Sequence, residues 1–244
     1  MMGQHTTTSI SASAPTPHSP KSRSSKPTRV WDLPTRIFHW ALAFCVIGSF
    51  ATGQTGGNLM EWHFRLGYCV LTLLLFRIVW GFVGGAWSRF SSFIYAPKHV
   101  LNYLKGKNDP LHEVGHNPLG GLSVMAMLLF LGFQVATGLV SDDEIAAAGP
   151  LTRFLATANV QLATSYHVSI GKVILIVLAL THVAAILVYL FKKRENLIKP
   201  MLHGDKMLPP DVLPSRDSAR SRSAALAIFV MCAVAVYALV GLGG

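Results

Sequence analysis

Charge is what this chain has least of. Only 13% of its 244 residues are Asp, Glu, Lys or Arg, while 51% are hydrophobic, and the mean hydropathy is +0.44. Soluble domains carry about 25% charged residues, so the balance excludes an ordinary water-soluble globule and points to a membrane protein. Carboxylates are scarcer still, with 11 Asp and Glu against 21 Lys and Arg. None lies inside the five long apolar segments, about 37–54, 63–84, 119–140, 165–191 and 223–242. Proton-coupled carriers place carboxylates within their helices as relays, so their absence argues against that class. Cysteine is limited to Cys45, Cys69 and Cys232, all inside apolar segments, where isolated thiols are most often packing residues. The first 28 residues have no apolar core of the kind a secretory signal needs. They are rich in Ser, Thr, Pro and Lys/Arg, and that composition predicts a disordered tail.

The surplus charge of +10 follows topology and is not the footprint of a nucleic-acid partner. Residues 1–38 carry five Lys and Arg, the 86–118 connection four and the 192–222 connection eight. The 54–62 connection has none, and 141–164 sets only Arg153 against Asp142, Asp143 and Glu144. By the positive-inside rule the N-terminus of this multi-pass membrane protein is cytoplasmic and its fifth segment ends outside.

Local signals support the segmentation. Pro34 suits the first turn of a helix, with Asp32 just upstream as its cap, and Asn117-Pro118 repeats the device for the third segment. The Gly-rich loop GQTGGNLME makes the first two helices antiparallel neighbours. PKHVLNYLKG reads as a short amphipathic interfacial helix, with Tyr95 and Tyr103 near headgroup level. The acidic stretch suggests a short helix around 150–162, and the Pro- and Arg-rich residues 207–222 a flexible linker.

Histidine supplies the chemistry. His39 and His63 open the first two apolar segments, and His167 and His182 share the fourth. Fifteen residues of α-helix rise roughly 22 Å and end about 60° from their starting face. One ligand thus stands near each edge of a hydrocarbon core about 30 Å thick. Antiparallel packing pairs His39 with His182 and His63 with His167, two imidazoles at each level. A lone membrane histidine is more often a hydrogen-bonding or interfacial residue, but four at compatible depths reverse those odds. Two bis-histidine haems fit the pattern, and filling both axial positions suits electron transfer over oxygen binding. No CxxCH is present, so a covalently attached haem is excluded.

Arg77 is the second candidate. It lies fourteen residues after His63, roughly 21 Å deeper, near the cytoplasmic histidine level. A guanidinium there suits a haem propionate; snorkelling to lipid phosphate is the competing use. Arg36 and Arg65 stand beside the ligands at their respective faces and could serve alike. Lys172 is read as snorkelling outward or meeting an outer propionate. Gly48, Gly67, Gly132, Gly138 and Gly171 could make room for a flat macrocycle or simply let helices approach. His99, His112, His116 and His203 fall in connections and read as ordinary exposed histidines.

WDLPTRIFHWALA, WHFRLGYCVLTLLLFRIVWGFVG, GHNPLGG, and YHVSIGKVILIVLALTHVAA followed by RENLIKPM occur in this order. Together they resemble the bacterial cytochrome b561 and nickel-iron hydrogenase b-type cytochrome family over residues 29–206. The resemblance implies an all-α membrane four-helix bundle at 29–206 binding two b haems through His39, His63, His167 and His182. The 207–222 linker and an extra helix at 223–244 would fall outside that core. It further implies a place in the bacterial inner membrane, with the C-terminus periplasmic, and electron transfer between the quinone pool and a partner redox protein such as a c-type cytochrome. A dedicated hydrogenase cytochrome subunit is the alternative with the same chemistry. A haem-free transporter or membrane scaffold is the alternative of another class.

Overall fold

The computed structural model describes residues 25–107, 114–145 and 147–243. Most of the expected N-terminal tail, and His112, therefore lie outside the described residues.

Five helices are long and apolar enough to cross a membrane: Leu33–Thr55, Gly57–Val83, Pro118–Gly138, Thr157–Phe191 and Ala219–Gly241. The first (α1, Leu33–Thr55) begins four residues before the apolar run suggested, because Asp32 caps it and accepts from Thr35 N at 2.8 Å. Gly56 and Gly57 then take φ of 66° and 56°, a left-handed turn open to glycine, and the chain reverses into α2 (Met60–Val83). The short helix α3 (Pro97–Leu104) follows. Asn117 caps α4 (Pro118–Gly138), accepting from Gly120 N at 2.8 Å.

The fourth span is longer than its apolar run. The short helix expected around 150–162 is divided between a single tight turn at Thr152–Phe154 and α5 (Thr157–Ser165). α5 continues through a π-turn (Tyr166–Gly171) into α6 (Lys172–Phe191). No proline interrupts 157–191, so nothing stops the helix at residue 165.

α2 is the hub. It packs along α1, α4 and the last helix, while α4 packs on the π-turn and α6. Among the described residues no extensive contact joins α1 to α6, which leaves a seam between the first and fourth spans. Phe38, Val70, Leu73, Leu74, Phe76 and Trp80 form the main buried cluster. Large apolar side chains elsewhere, such as Phe44, Leu129 and Val177, face outward, as a lipid-facing surface requires.

The connection from α6 to the last helix is tied down where composition suggested a loose strap. α7 (Ile198–His203) leads into β2 (Asp205–Leu208), which pairs antiparallel with β1 (Lys26–Arg29). Arg29 reaches Asp205 at 2.7 Å and Asp217 at 2.6 Å, and Ser215 Oγ donates to Val30 O at 2.7 Å. Beyond it α8 (Ala219–Gly241) lies against α2, with Ala225 and Cys232 in the main cluster and Phe229 edge-on to Phe76. Polar sequence between two apolar runs looked like a linker; ion pairs available only in the folded chain order it.

Candidate functional site

Antiparallel α1 and α2 carry His39 and His63 at opposite ends, and the fourth span brings His182 and His167 to the same two levels. The structure joins His39 to His182 and His63 to His167, with ring centres 6.3 Å and 6.0 Å apart. A metal–imidazole bond is about 2 Å, and the ligating nitrogen lies about 1 Å from its ring centre. An atom bonded to both rings would therefore hold the centres about 6 Å apart. Among the described residues no group of three or more His, Cys, Asp or Glu could hold a bare metal ion. Two-ligand sites suit a metal that brings its own equatorial ligands, as in a porphyrin.

The pair near the acidic connection is seated by backbone. The His63 Nδ1 is 2.8 Å from Ser49 O, and the His167 Nδ1 is 2.9 Å from Gln134 O. A carbonyl only accepts, so each Nδ1 carries the proton and each Nε2 keeps its lone pair for a ligand. Both seats repeat one device, a glycine four residues after the carbonyl. A Cβ on Gly53 would lie 2.8 Å from His63 Nδ1, and one on Gly138 would lie 2.7 Å from His167 Cε1. A cavity of about 510 Å³ opens beside these rings, lined by Phe50, Gly67, Gln134, Lys172 and Leu180 among others. That size lies within the range of small-molecule and cofactor sites.

The other pair sits amid α1, α6 and the connections of the basic face. The His39 Nδ1 is shut off from solvent without a partner. Arg77 is only 3% exposed. Its guanidinium lies over the rings of Phe90 and Phe93, at 4.9 Å and 5.7 Å, and its Nη1 has no partner. Arg77 is thus turned into the protein, away from lipid. A buried guanidinium with an unused donor is costly unless something accepts from it. Arg36 lies one turn before His39; its Nη1 donates to Leu202 O and its buried Nε has no partner. Arg65 is not brought to the cavity: it pairs with Glu61 at the surface and stacks over Trp62. Lys172 lines the cavity and donates to Gln54 at 3.2 Å.

Two further residues belong to these sites, one read from the sequence as an ordinary exposed histidine and found enclosed, the other passed over. His116 is wedged between Trp31 and Phe93, with ring centres 4.7 Å away on each side, and its Nδ1 is closed off without a partner. Burial, then Arg77, His182 and His39, push its pKa down to about 3. The available signal was its place immediately before the Asn117-Pro118 cap. Gln134 is the other. It was visible as the lone amide in the apolar run of the third span, where a polar side chain should find a partner.

Asp32 holds the frame around the Arg77 pocket. It is 0% exposed and accepts from Gly85 N at 3.0 Å, Ser88 Oγ at 2.8 Å and Trp80 Nε1 at 3.2 Å, besides capping α1. The carboxylate thereby locks the start of α1 to the end of α2.

The family model described as prokaryotic cytochrome b561 matches residues 30–204. The chain is 26% identical over 212 residues to a probable Ni/Fe-hydrogenase B-type cytochrome subunit of Bradyrhizobium diazoefficiens, covering 72% of this chain and 85% of that one. A protein of the same description from Rhodobacter capsulatus is 24% identical over 217 residues, covering 75% and 82%. The probable Ni/Fe-hydrogenase 1 B-type cytochrome subunit of Escherichia coli K12 is 25% identical over 141 residues, covering 47% and 60%. No solved structure matches the chain.

Proposed function

Because the chain belongs to the prokaryotic cytochrome b561 family, we propose that it is a dihaem b-type cytochrome that relays electrons across the bacterial inner membrane. The observation that carries this reading is the two histidine pairs, 6.3 Å and 6.0 Å between ring centres, one toward each end of the bundle. His39 and His182 hold the haem on the basic, cytoplasmic side, and His63 and His167 hold the one on the periplasmic side. When bound, each haem b supplies one-electron chemistry by cycling between ferric and ferrous iron.

The remaining work belongs to the polypeptide. Ser49 O and Gln134 O fix the tautomer and bearing of the outer imidazoles. Arg77 and Arg36 offer unused donors to the propionates of the inner haem. Arg65 stays in its ion pair with Glu61. A lipophilic quinone from the membrane would exchange electrons with one of the two haems. The names of the relatives favour a Ni/Fe-hydrogenase as the partner redox protein. A c-type cytochrome would serve the same electron-transfer chemistry.

Pyridine haemochrome assay of the purified protein should give about two protohaems per chain with a low-spin reduced spectrum. One haem per chain, or a high-spin spectrum, would refute the two-site arrangement; no haem would refute the reading altogether. Co-purification with hydrogenase subunits or with a c-type cytochrome decides the partner.

A further inference from the structure

Gln134 meets His167 twice. Its backbone carbonyl takes the His167 Nδ1 proton at 2.9 Å, and its side-chain Nε2 donates to His167 O at 2.9 Å. The second contact falls on the π-turn Tyr166–Gly171. A π-turn disturbs the regular i→i−4 ladder, and such turns are frequent at functional sites. Gly171 lets the amide in: a Cβ there would lie 2.0 Å from Gln134 Oε1. The result is a histidine whose ring and backbone are both clamped by one residue of the neighbouring helix.

The clamped pair also differs from the other in orientation. The His63 and His167 ring planes stand at 86°, whereas those of His39 and His182 stand at 49°. His39 has no partner for its Nδ1 among the described residues, so no such hydrogen bond fixes its ring. Perpendicular axial imidazoles donate π density into two different iron d orbitals and leave them nearly degenerate. A ferric low-spin haem with that ligation has a strongly anisotropic g tensor. Rotation away from perpendicular splits the two orbitals and draws the largest g value inward.

We propose that Gln134 is a positioning residue that clamps the π-turn and thereby holds the outer imidazole planes near perpendicular. This rests on the dihaem reading. It gives the outer haem an electronic signature distinct from that of the inner one, set by a side chain that does not touch the iron.

The test is electron paramagnetic resonance of the ferric, haem-loaded full-length protein, with haem content measured on each sample. In the wild type the signal with the larger g value should be the one lost in His63→Ala. Gln134→Leu removes the amide but keeps the backbone carbonyl, and should move that largest g value inward while leaving the inner haem's signal in place. Gly171→Ala evicts the same amide from the other side and should do the same. The double variant should shift no further than either single one, since both remove one contact. An outer signal unchanged in both single variants at full haem content would overturn the proposal, as would equal movement of both signals. A role confined to stability would lower haem content or melting temperature without moving the g value. Should Gln134→Leu fail to load the outer haem, Gly171→Ala carries the measurement. A wild type without two haems would instead refute the dihaem reading.

Discussion

Gly138→Ala should damage the outer haem site, although on helix grounds alone it should stabilise the protein. Alanine is favoured over glycine within a helix by about 1 kcal/mol. Gly138 ends α4 and its φ is not positive, so no backbone penalty offsets that gain. The obstacle is the His167 ring. The added Cβ would stand 2.7 Å from Cε1 and 3.1 Å from Nδ1, where carbon contacts normally settle at about 3.5–4.0 Å. The ring must retreat by about 1 Å. The Nδ1 bond to Gln134 O, now 2.9 Å, would then pass the roughly 3.2 Å limit of a good hydrogen bond. Losing such an outer-shell partner typically costs about 10–100-fold in metal affinity. The rate at which haem leaves the protein for an excess of a haem-scavenging globin, followed optically, should rise by that order for the outer haem only. Gly53→Ala should act alike through His63, since its Cβ would lie 2.8 Å from Nδ1. Gly132→Ala, on the same helix with nothing within 4 Å, should leave haem loss unchanged. A Gly138→Ala protein that keeps its outer haem as long as the wild type, or loses both haems together, would refute the reasoning.

Arg77→Gln should alter the potential or occupancy of the inner haem alone, read by redox titration with the two α-bands resolved; identical values at both haems would show that Arg77 meets no propionate. Asp32→Asn places an amide donor against the Gly85 N–H or Ser88 hydroxyl that Asp32 now accepts from, and should cost about 1–3 kcal/mol, seen as a lower melting temperature in detergent. Stopping the chain after Ser218 removes α8 but keeps the Arg29–Asp217 pair, so both haems should stay while the melting temperature falls; loss of a haem would mean that α8 shapes the ligand faces. His116 has its pKa lowered to about 3, by burial first and then by Arg77, His182 and His39. The unfolded chain therefore takes up a proton that the folded one refuses, and stability should decline as pH drops from about 6.5 towards 3, at up to about 1.4 kcal/mol per unit. His116→Phe should flatten that slope in a pH series of thermal melts; an unchanged slope would exclude His116 as its source.

The sequence by itself determined the number of spans, the caps at Asp32 and Asn117, and the four histidines with their levels. Those features are local or periodic. Apolar length measures a bilayer, a cap acts within four residues, and the depth of a residue on a helix follows from counting along it. Counting also foretold which histidines meet, because antiparallel helices leave one partner at each depth. Direction across the helix axis was not legible. Arg77 could equally have faced lipid, and only the fold shows it beneath Phe90 and Phe93. His116 looked like a loop histidine because nothing adjacent in sequence reveals Trp31 and Phe93 closing on it. Arg65 lies two residues from His63, yet its helix face and Glu61 draw it to the surface. The last helix and its strap looked separable because the acids that anchor them, Asp205 and Asp217, meet Arg29 across 176 and 188 residues of chain. Gln134 and the π-turn were decided by tertiary structure in the fullest sense. The carbonyl that seats His167, the amide that clamps its turn and the glycine that makes room stand on two helices, and only packing those helices together brings them into contact.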